Sequence, residues 1–128
     1  MGKRYLLDSN AVIDYIARLF PSKAWQWMDD VINNEINVSV ITKIEVLSFD
    51  PEDKEYPILI DFFNEADIFG LTDNIINKTI QIRQKQKTKL PDAVIAATAI
   101  VNELILLTRN TRDFDNIEGL EVMNPYQL

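Results

Sequence analysis

Residues 90–114, LPDAVIAATAIVNELILLTRNTRDF, decide how the whole chain is read. Pro91 suits the first turn of a helix, and the run from Ala93 to Val101 carries no charge until Asn102 and Glu103 close it. The spacing predicts a helix over 91–103, a buried strand over 104–108, and then a short turn that brings Asp113 just past the strand end. A helix returning directly into an apolar strand is half of a parallel α/β unit.

Working outward, the same alternation recurs. Short apolar, β-branched runs at 4–7, 37–41, 67–71, 104–108 and 120–123 read as strands, and longer patterns at 11–19, 23–33, 43–49, 56–66, 73–86 and 91–103 read as helices. The expected fold class is α/β: a five-stranded, mostly parallel sheet with helices on both faces. At 128 residues and 47% hydrophobic content, a single domain over residues 1–128 with one core is expected. No internal repeat or low-complexity segment interrupts it.

The longest apolar stretch is far short of the roughly 20 residues that span a bilayer. The apolar segment after Lys3 and Arg4 ends at Asp8, too early for a signal peptide. A chain with no membrane association and a cytoplasmic location is expected, and the absence of cysteine agrees with a reducing compartment. Having neither cysteine nor histidine also excludes thiolate nucleophiles, imidazole or thiolate zinc sites, and triads that need a histidine base. If the protein is an enzyme, carboxylates carry the chemistry. The net charge of −7 argues against a phosphate-backbone partner unless clustered acids hold a divalent cation.

In an open parallel sheet the strands end, and the crossover helices begin, at one edge, where ligands bind. Asp8 follows the first strand, Asp113 follows the fourth, and Glu45 and Asp92 fall in the first turns of predicted helices, so all four acids are expected at that edge. Each also has an ordinary explanation. Asp8 can cap the helix that follows, with Asn10 as a rival. Glu45 completes a capping box with Thr42. Asp92 can complement a helix dipole, and Asp113 can pair with Arg109 or Arg112. Taken together, four converging acids repel by about 4 kcal/mol per pair at 4 Å and an effective dielectric near 20, so they take up protons or bind a cation. Oxygen ligands alone suit Mg²⁺ or Mn²⁺, which can activate water for attack on a phosphate ester.

Secondary features are the acid-free stretch KTIQIRQKQKTK at 78–89, with Arg83, Lys85, Lys87 and Lys89, which is either a solvated helix face or a guide for a polyanion. Asp14 and Arg18 are spaced as a structural i,i+4 pair. Trp25 and Trp27 fall on different sides of their helix, one suited to the core and one to a subunit contact.

The segments YLLDSNAVID, VSVITKIEVL, the opening stretch and GLEVMNP together make the chain resemble the PIN-domain ribonucleases, most closely the VapC-type toxins of toxin-antitoxin pairs. The resemblance covers essentially the whole chain, with the 90–114 segment the most specific. It implies that Asp8, Glu45, Asp92 and Asp113 occupy the family's acidic positions and hold Mg²⁺ or Mn²⁺ for endonucleolytic cleavage of RNA. It also implies a homodimer, a small antitoxin partner, and a polar residue beside the last acid, here Asn110. Asn10 could orient a metal-bound water. Alternatives are a housekeeping RNA-processing nuclease, a non-catalytic PIN-like interaction module, and a haloacid-dehalogenase-like phosphatase. The last of these needs an acid where Asn10 stands.

Overall fold

The structure, a computed structural model, describes residues 2–128. In chain order it contains β1 (Tyr5–Leu7), α1 (Ser9–Ile16), α2 (Ser22–Asn34), β2 (Asn37–Ser39), α3 (Val40–Leu47), α4 (Tyr56–Asn64), β3 (Asp67–Phe69), α5 (Asp73–Lys85), α6 (Leu90–Val101), β4 (Ile105–Leu107) and β5 (Val122–Met123). Two 3-10 turns, Thr111–Phe114 and Pro125–Gln127, complete it. Every strand and helix expected from the periodicity is present, within a few residues at its ends.

The strands are all paired in parallel, but they do not form one continuous sheet. Hydrogen bonds join β1, β4 and β5 into one sheet, with β4 central, and β2 and β3 into another, which corrects the expectation of a single five-stranded sheet. The cause lies at Asn37. Its buried side-chain amide donates to the Tyr5 carbonyl at 3.0 Å, so a side chain takes the acceptor that a neighbouring strand's N–H would use. The strands are also only two or three residues long, which leaves little ladder to bridge the seam.

Successive residues of a strand face opposite sides, and the core divides accordingly. Leu6 and Leu106 pack with Ile75, Ile82, Ile95 and Phe114 on one face. Leu7 and Leu107 pack with Val12, Met28, Val38 and Phe63 on the other. Fully buried leucines such as these contribute about 1.5–3 kcal/mol each. Burial on both faces explains why YLL and ILL read as unbroken apolar runs. Helix α6 is buried continuously from Ala93 to Ala99, and its small alanines let it sit close against its neighbours.

The helices start at the strand ends because the residue there caps them. The Asp8 side chain accepts from the Ser9 amide, and Ser39 Oγ accepts from the Ile41 amide at 3.1 Å. Helix α3 therefore begins at Val40. Thr42 is interior, fully buried, and not a cap, and Glu45 lies in the second turn; the expected Thr42–Glu45 capping box is absent. The expected Asp14–Arg18 pair is also absent. Arg18 lies beyond the end of α1 at φ 57, and its guanidinium sits 5.1 Å from the centre of the Trp25 ring. Trp25 stacks on Tyr15 and Trp27 meets Tyr5 edge-on, leaving both tryptophans half-buried.

Candidate active site

Asp8 is the most constrained of the four acids. The parallel register Leu7↔Leu107 sets the residues that follow, Asp8 and Thr108, side by side at the ends of β1 and β4. Asp8 donates its amide to the Leu107 carbonyl, and its side chain is fixed at both oxygens. Oδ1 accepts from the Ser9 amide at 2.8 Å, while Oδ2 accepts from the Thr108 hydroxyl at 2.8 Å and from the Asn10 amide at 3.2 Å. Asp8 is thus a helix cap and a site residue at once. Burial pushes its carboxyl above the ordinary carboxylate range; the Thr108 and Ser9 hydrogen bonds oppose this, and the charges of Glu45 and Asp113 add to it.

Thr108 and Asn10 connect the acid to the loop after β4. The fully buried Thr108 hydroxyl accepts from the Asn110 amide at 3.0 Å and from Asn10 Nδ2 at 3.2 Å, while Asn10 Oδ1 accepts from the Arg109 amide at 3.1 Å. Asn10 therefore holds the site together through its side chain. Asn110 contributes its backbone, and its side chain is exposed and makes no hydrogen bond among the described residues.

Glu45 is exposed on α3, and its Oε1 accepts from the Ser9 hydroxyl at 2.7 Å. Asp92 is the third residue of α6, and Asp113 lies exposed in the 3-10 turn after β4. Asp113, Asp8 and Glu45 all lie within electrostatic range of Asp92. Asp92 is pushed up from 3.8 to about 6, first by burial and then by the charges of Asp113, Asp8 and Glu45, with Lys89 opposing. No three of these acids form a ready-made metal cage among the described residues. The donors present are carboxylate, hydroxyl and amide groups, a set that fits a hard divalent cation and not a soft one.

The basic residues separate. Lys89 lies beside the acids, close enough to oppose the shift at Asp92. Arg83 donates from Nε to the Thr88 carbonyl at 3.2 Å. Lys85 turns the other way and meets Glu118 at 3.4 Å.

Two contributions were not read from the sequence. Thr108 is the counterpart of Asp8: YLLD and ILLT are matching strand ends, and that pairing was the available signal. The second is a cluster around buried Asp14, whose Oδ2 accepts from Arg109 at 3.1 Å and from the Tyr126 hydroxyl, with the Arg109 guanidinium 5.4 Å from the Tyr126 ring centre. It secures the loop that carries Thr108 and Asn110. Nothing local in the sequence joins residues this far apart.

Comparison with solved structures agrees with this architecture. A toxin-antitoxin complex from Klebsiella pneumoniae contains a chain 29% identical, with a TM-score of 0.76, over 97% of this chain and 99% of that one. FitAcB from Neisseria gonorrhoeae is 25% identical, with a TM-score of 0.73 and the same coverage. DNA-bound VapBC from Salmonella typhimurium, at 20% identity and a TM-score of 0.78 over 97% and 99%, shares the fold. No curated protein sequence matches the chain. The PIN domain family model matches residues 5–120, nearly the whole length and every element that carries one of the four acids, and the chain belongs to the PIN domain family.

Proposed function

We propose that the protein is a metal-dependent endoribonuclease, the toxin of a type II toxin-antitoxin pair, that hydrolyses RNA phosphodiester bonds with Mg²⁺ or Mn²⁺. What supports this reading is the gathering of Asp8, Glu45, Asp92 and Asp113 on the side of the fold where the strands end, with Glu45 and Asp113 within electrostatic range of both Asp8 and Asp92. Like charges so placed favour a bound cation. Because the acids are not a preformed cage, such an ion would complete its shell with water and substrate phosphate.

When bound, the ion supplies an activated water and offsets charge on the phosphoryl oxygens. The chain's own residues fix where this happens. Thr108, Asn10 and the Ser9 amide hold Asp8 in one orientation. Ser9 holds one oxygen of Glu45 and leaves the other without a partner among the described residues. Lys89 supplies positive charge beside Asp92 for an incoming phosphate.

The toxin reading over a housekeeping nuclease rests on the toxin-antitoxin complex at 29% identity and on a surface suited to a partner. An apolar cleft of about 160 Å³ lies between α1, α3 and α4, lined by Ile13, Ile16, Val46, Phe49 and Leu59 and edged by Asp50, Asp53 and Glu55. Phe49 is 83% exposed there. We assign this cleft to the antitoxin, as an amphipathic segment with basic flanks, and expect the toxin itself to be a homodimer.

The test is cleavage of end-labelled RNA by wild type, Asp8→Asn and Asp92→Asn in Mn²⁺ and in EDTA, together with growth after induced expression. Wild type should cleave only with metal and arrest growth; both variants should fold and do neither. Metal-dependent cleavage by both variants at the wild-type rate would remove the catalytic reading. Cleavage without growth arrest would favour the housekeeping nuclease, and growth effects retained in Asp92→Asn without cleavage would favour a non-catalytic module.

A further inference from the structure

The positive charge of this acidic protein is unevenly placed. No acid lies between Asp73 and Asp92, and Lys78, Arg83, Lys85, Lys87 and Lys89 all fall in that stretch. The fold then divides this charge. The last turn of α5 and the start of α6 form the walls of an open groove of about 460 Å³, lined in part by Arg83, Lys87, Thr88 and Leu90. Lys85, on the same helix, lines a different hollow and lies against Glu118. Lys89 follows Thr88 of the groove wall and stands at the N-terminus of α6, whose first turn carries Asp92, so the basic segment leads into the acid cluster.

We propose that this groove is the path of the single-stranded RNA on one side of the scissile phosphate, with Arg83, Lys87 and Lys89 contacting its backbone and Lys85 excluded. The inference rests on the ribonuclease reading and specifies where its substrate lies. Arg83 is oriented by its bond to the Thr88 carbonyl, which leaves its terminal nitrogens for phosphate. Lys87 is exposed and has no hydrogen bond or ion pair among the described residues. The segment between the helices is held by Gln86, which donates to the Asp115 carbonyl at 3.1 Å. Within the groove wall, the buried Thr88 hydroxyl has no partner among the described residues. Leu90, 53% exposed, offers an apolar surface for a base or ribose.

Lys85 provides an internal control, because its loss changes the net charge by the same amount as loss of Lys87. Binding of a fluorescein-labelled 12-nucleotide RNA is measured by anisotropy across a salt series with Ca²⁺ in place of Mn²⁺ for wild type, Arg83→Gln, Lys87→Gln and Lys85→Gln, with KM and kcat measured separately in Mn²⁺. Each lost backbone contact should weaken binding roughly fourfold at about 0.15 M salt and lower the salt slope by about 0.7. The expected result is that change for Arg83→Gln and Lys87→Gln, carried in KM with kcat nearly unchanged, and little change for Lys85→Gln. Lys87→Gln is the cleaner variant, because Arg83→Gln also removes a bond to the loop. Equal weakening by Lys85→Gln, or no weakening by Lys87→Gln, would overturn the path while leaving an RNA-cleaving wild type intact. A wild type that neither binds nor cleaves RNA would overturn both the path and the ribonuclease reading.

Discussion

Asp92→Asn should stabilise the metal-free protein at neutral pH and do nothing useful in acid. Burial and the three neighbouring acids hold the Asp92 carboxyl at about 6 against an ordinary 3.8. Between those values the folded protein keeps a proton that the unfolded chain has lost, so wild-type stability falls as pH rises from about 4 to about 6. The full displacement corresponds to about 3 kcal/mol at roughly 1.4 kcal/mol per pH unit. Asp92 is only half-buried, and screening by solvent reduces this to about 1–2 kcal/mol. Asparagine at the third helical position also forfeits about 0.5 kcal/mol of favourable interaction with the α6 dipole. The net gain above pH 7 is about 1 kcal/mol, or roughly 3–5 °C in Tm. Below pH 4 the Asp92 carboxyl is itself neutral, so both the gain and the dipole loss vanish and the two proteins should melt alike. Thermal melts of both proteins in EDTA across this range should show the difference opening through the window. Saturating Mn²⁺ should reverse the order, since ligand at about 100 times its Kd stabilises wild type by about 2.7 kcal/mol. An Asp92→Asn protein that melts below wild type throughout the range above pH 4 would refute the coupling and leave Asp92 a simple helix-dipole acid.

Other outcomes follow from specific contacts. Glu45→Gln should change Tm by less than about 1 °C, because Glu45 is exposed in the second turn of α3 and caps nothing, yet should reduce RNA cleavage at least tenfold; calorimetry and a cleavage assay separate the two effects. Thr108→Val keeps the volume but leaves Asp8, Asn10 and the Asn110 amide without their shared hydroxyl, and should cost about 2–4 kcal/mol in urea unfolding together with a loss of cleavage. Asn37→Leu removes the donor to the Tyr5 carbonyl and should cost about 1–3 kcal/mol, with faster amide exchange in β1 and β2 than in β5; uniform exchange throughout would show that the seam has no separate stability.

Much of the fold could be read from the chain because parallel strands buried on both faces leave unbroken apolar runs, because helix periodicity survives in α5, and because the apolar run of α6 is too long for a strand and opens on Pro91. Helix starts were less legible. Ser39 and Thr42 both offer a hydroxyl near the start of α3, and only the position of Ser39 at the strand end decides between them. The seam was illegible for a related reason: Asn37 occupies a strand position, and whether its amide reaches across to Tyr5 depends on the distance between two strands, not on local pattern. At the site, the acids could be found because the strand-end rule needs only topology. Their positioning partners could not, since Thr108, Arg109 and Tyr126 meet Asp8 and Asp14 across separations that periodicity does not encode. Asp14 shows the competition directly: an i,i+4 pairing on an exposed helix face lost to a buried contact with Arg109 and Tyr126.

The seam between the two sheets has a consequence for the geometry of the acids. Asp8 and Thr108 stand at the ends of β1 and β4, within one hydrogen-bonded sheet, with Asp113 in the turn that follows β4, whereas Glu45 rides on the helix that leaves β2 in the other. The spacing of Asp8 to Thr108 is therefore internal to one ladder. The spacing of Glu45 to both is a dimension of the joint, set by the Asn37–Tyr5 bond on one side and the Ser9–Glu45 bond on the other. The Asp8–Thr108–Asn110 bonds do not cross that joint, so Glu45 is the acid whose placement depends on how the two sheets are tied together.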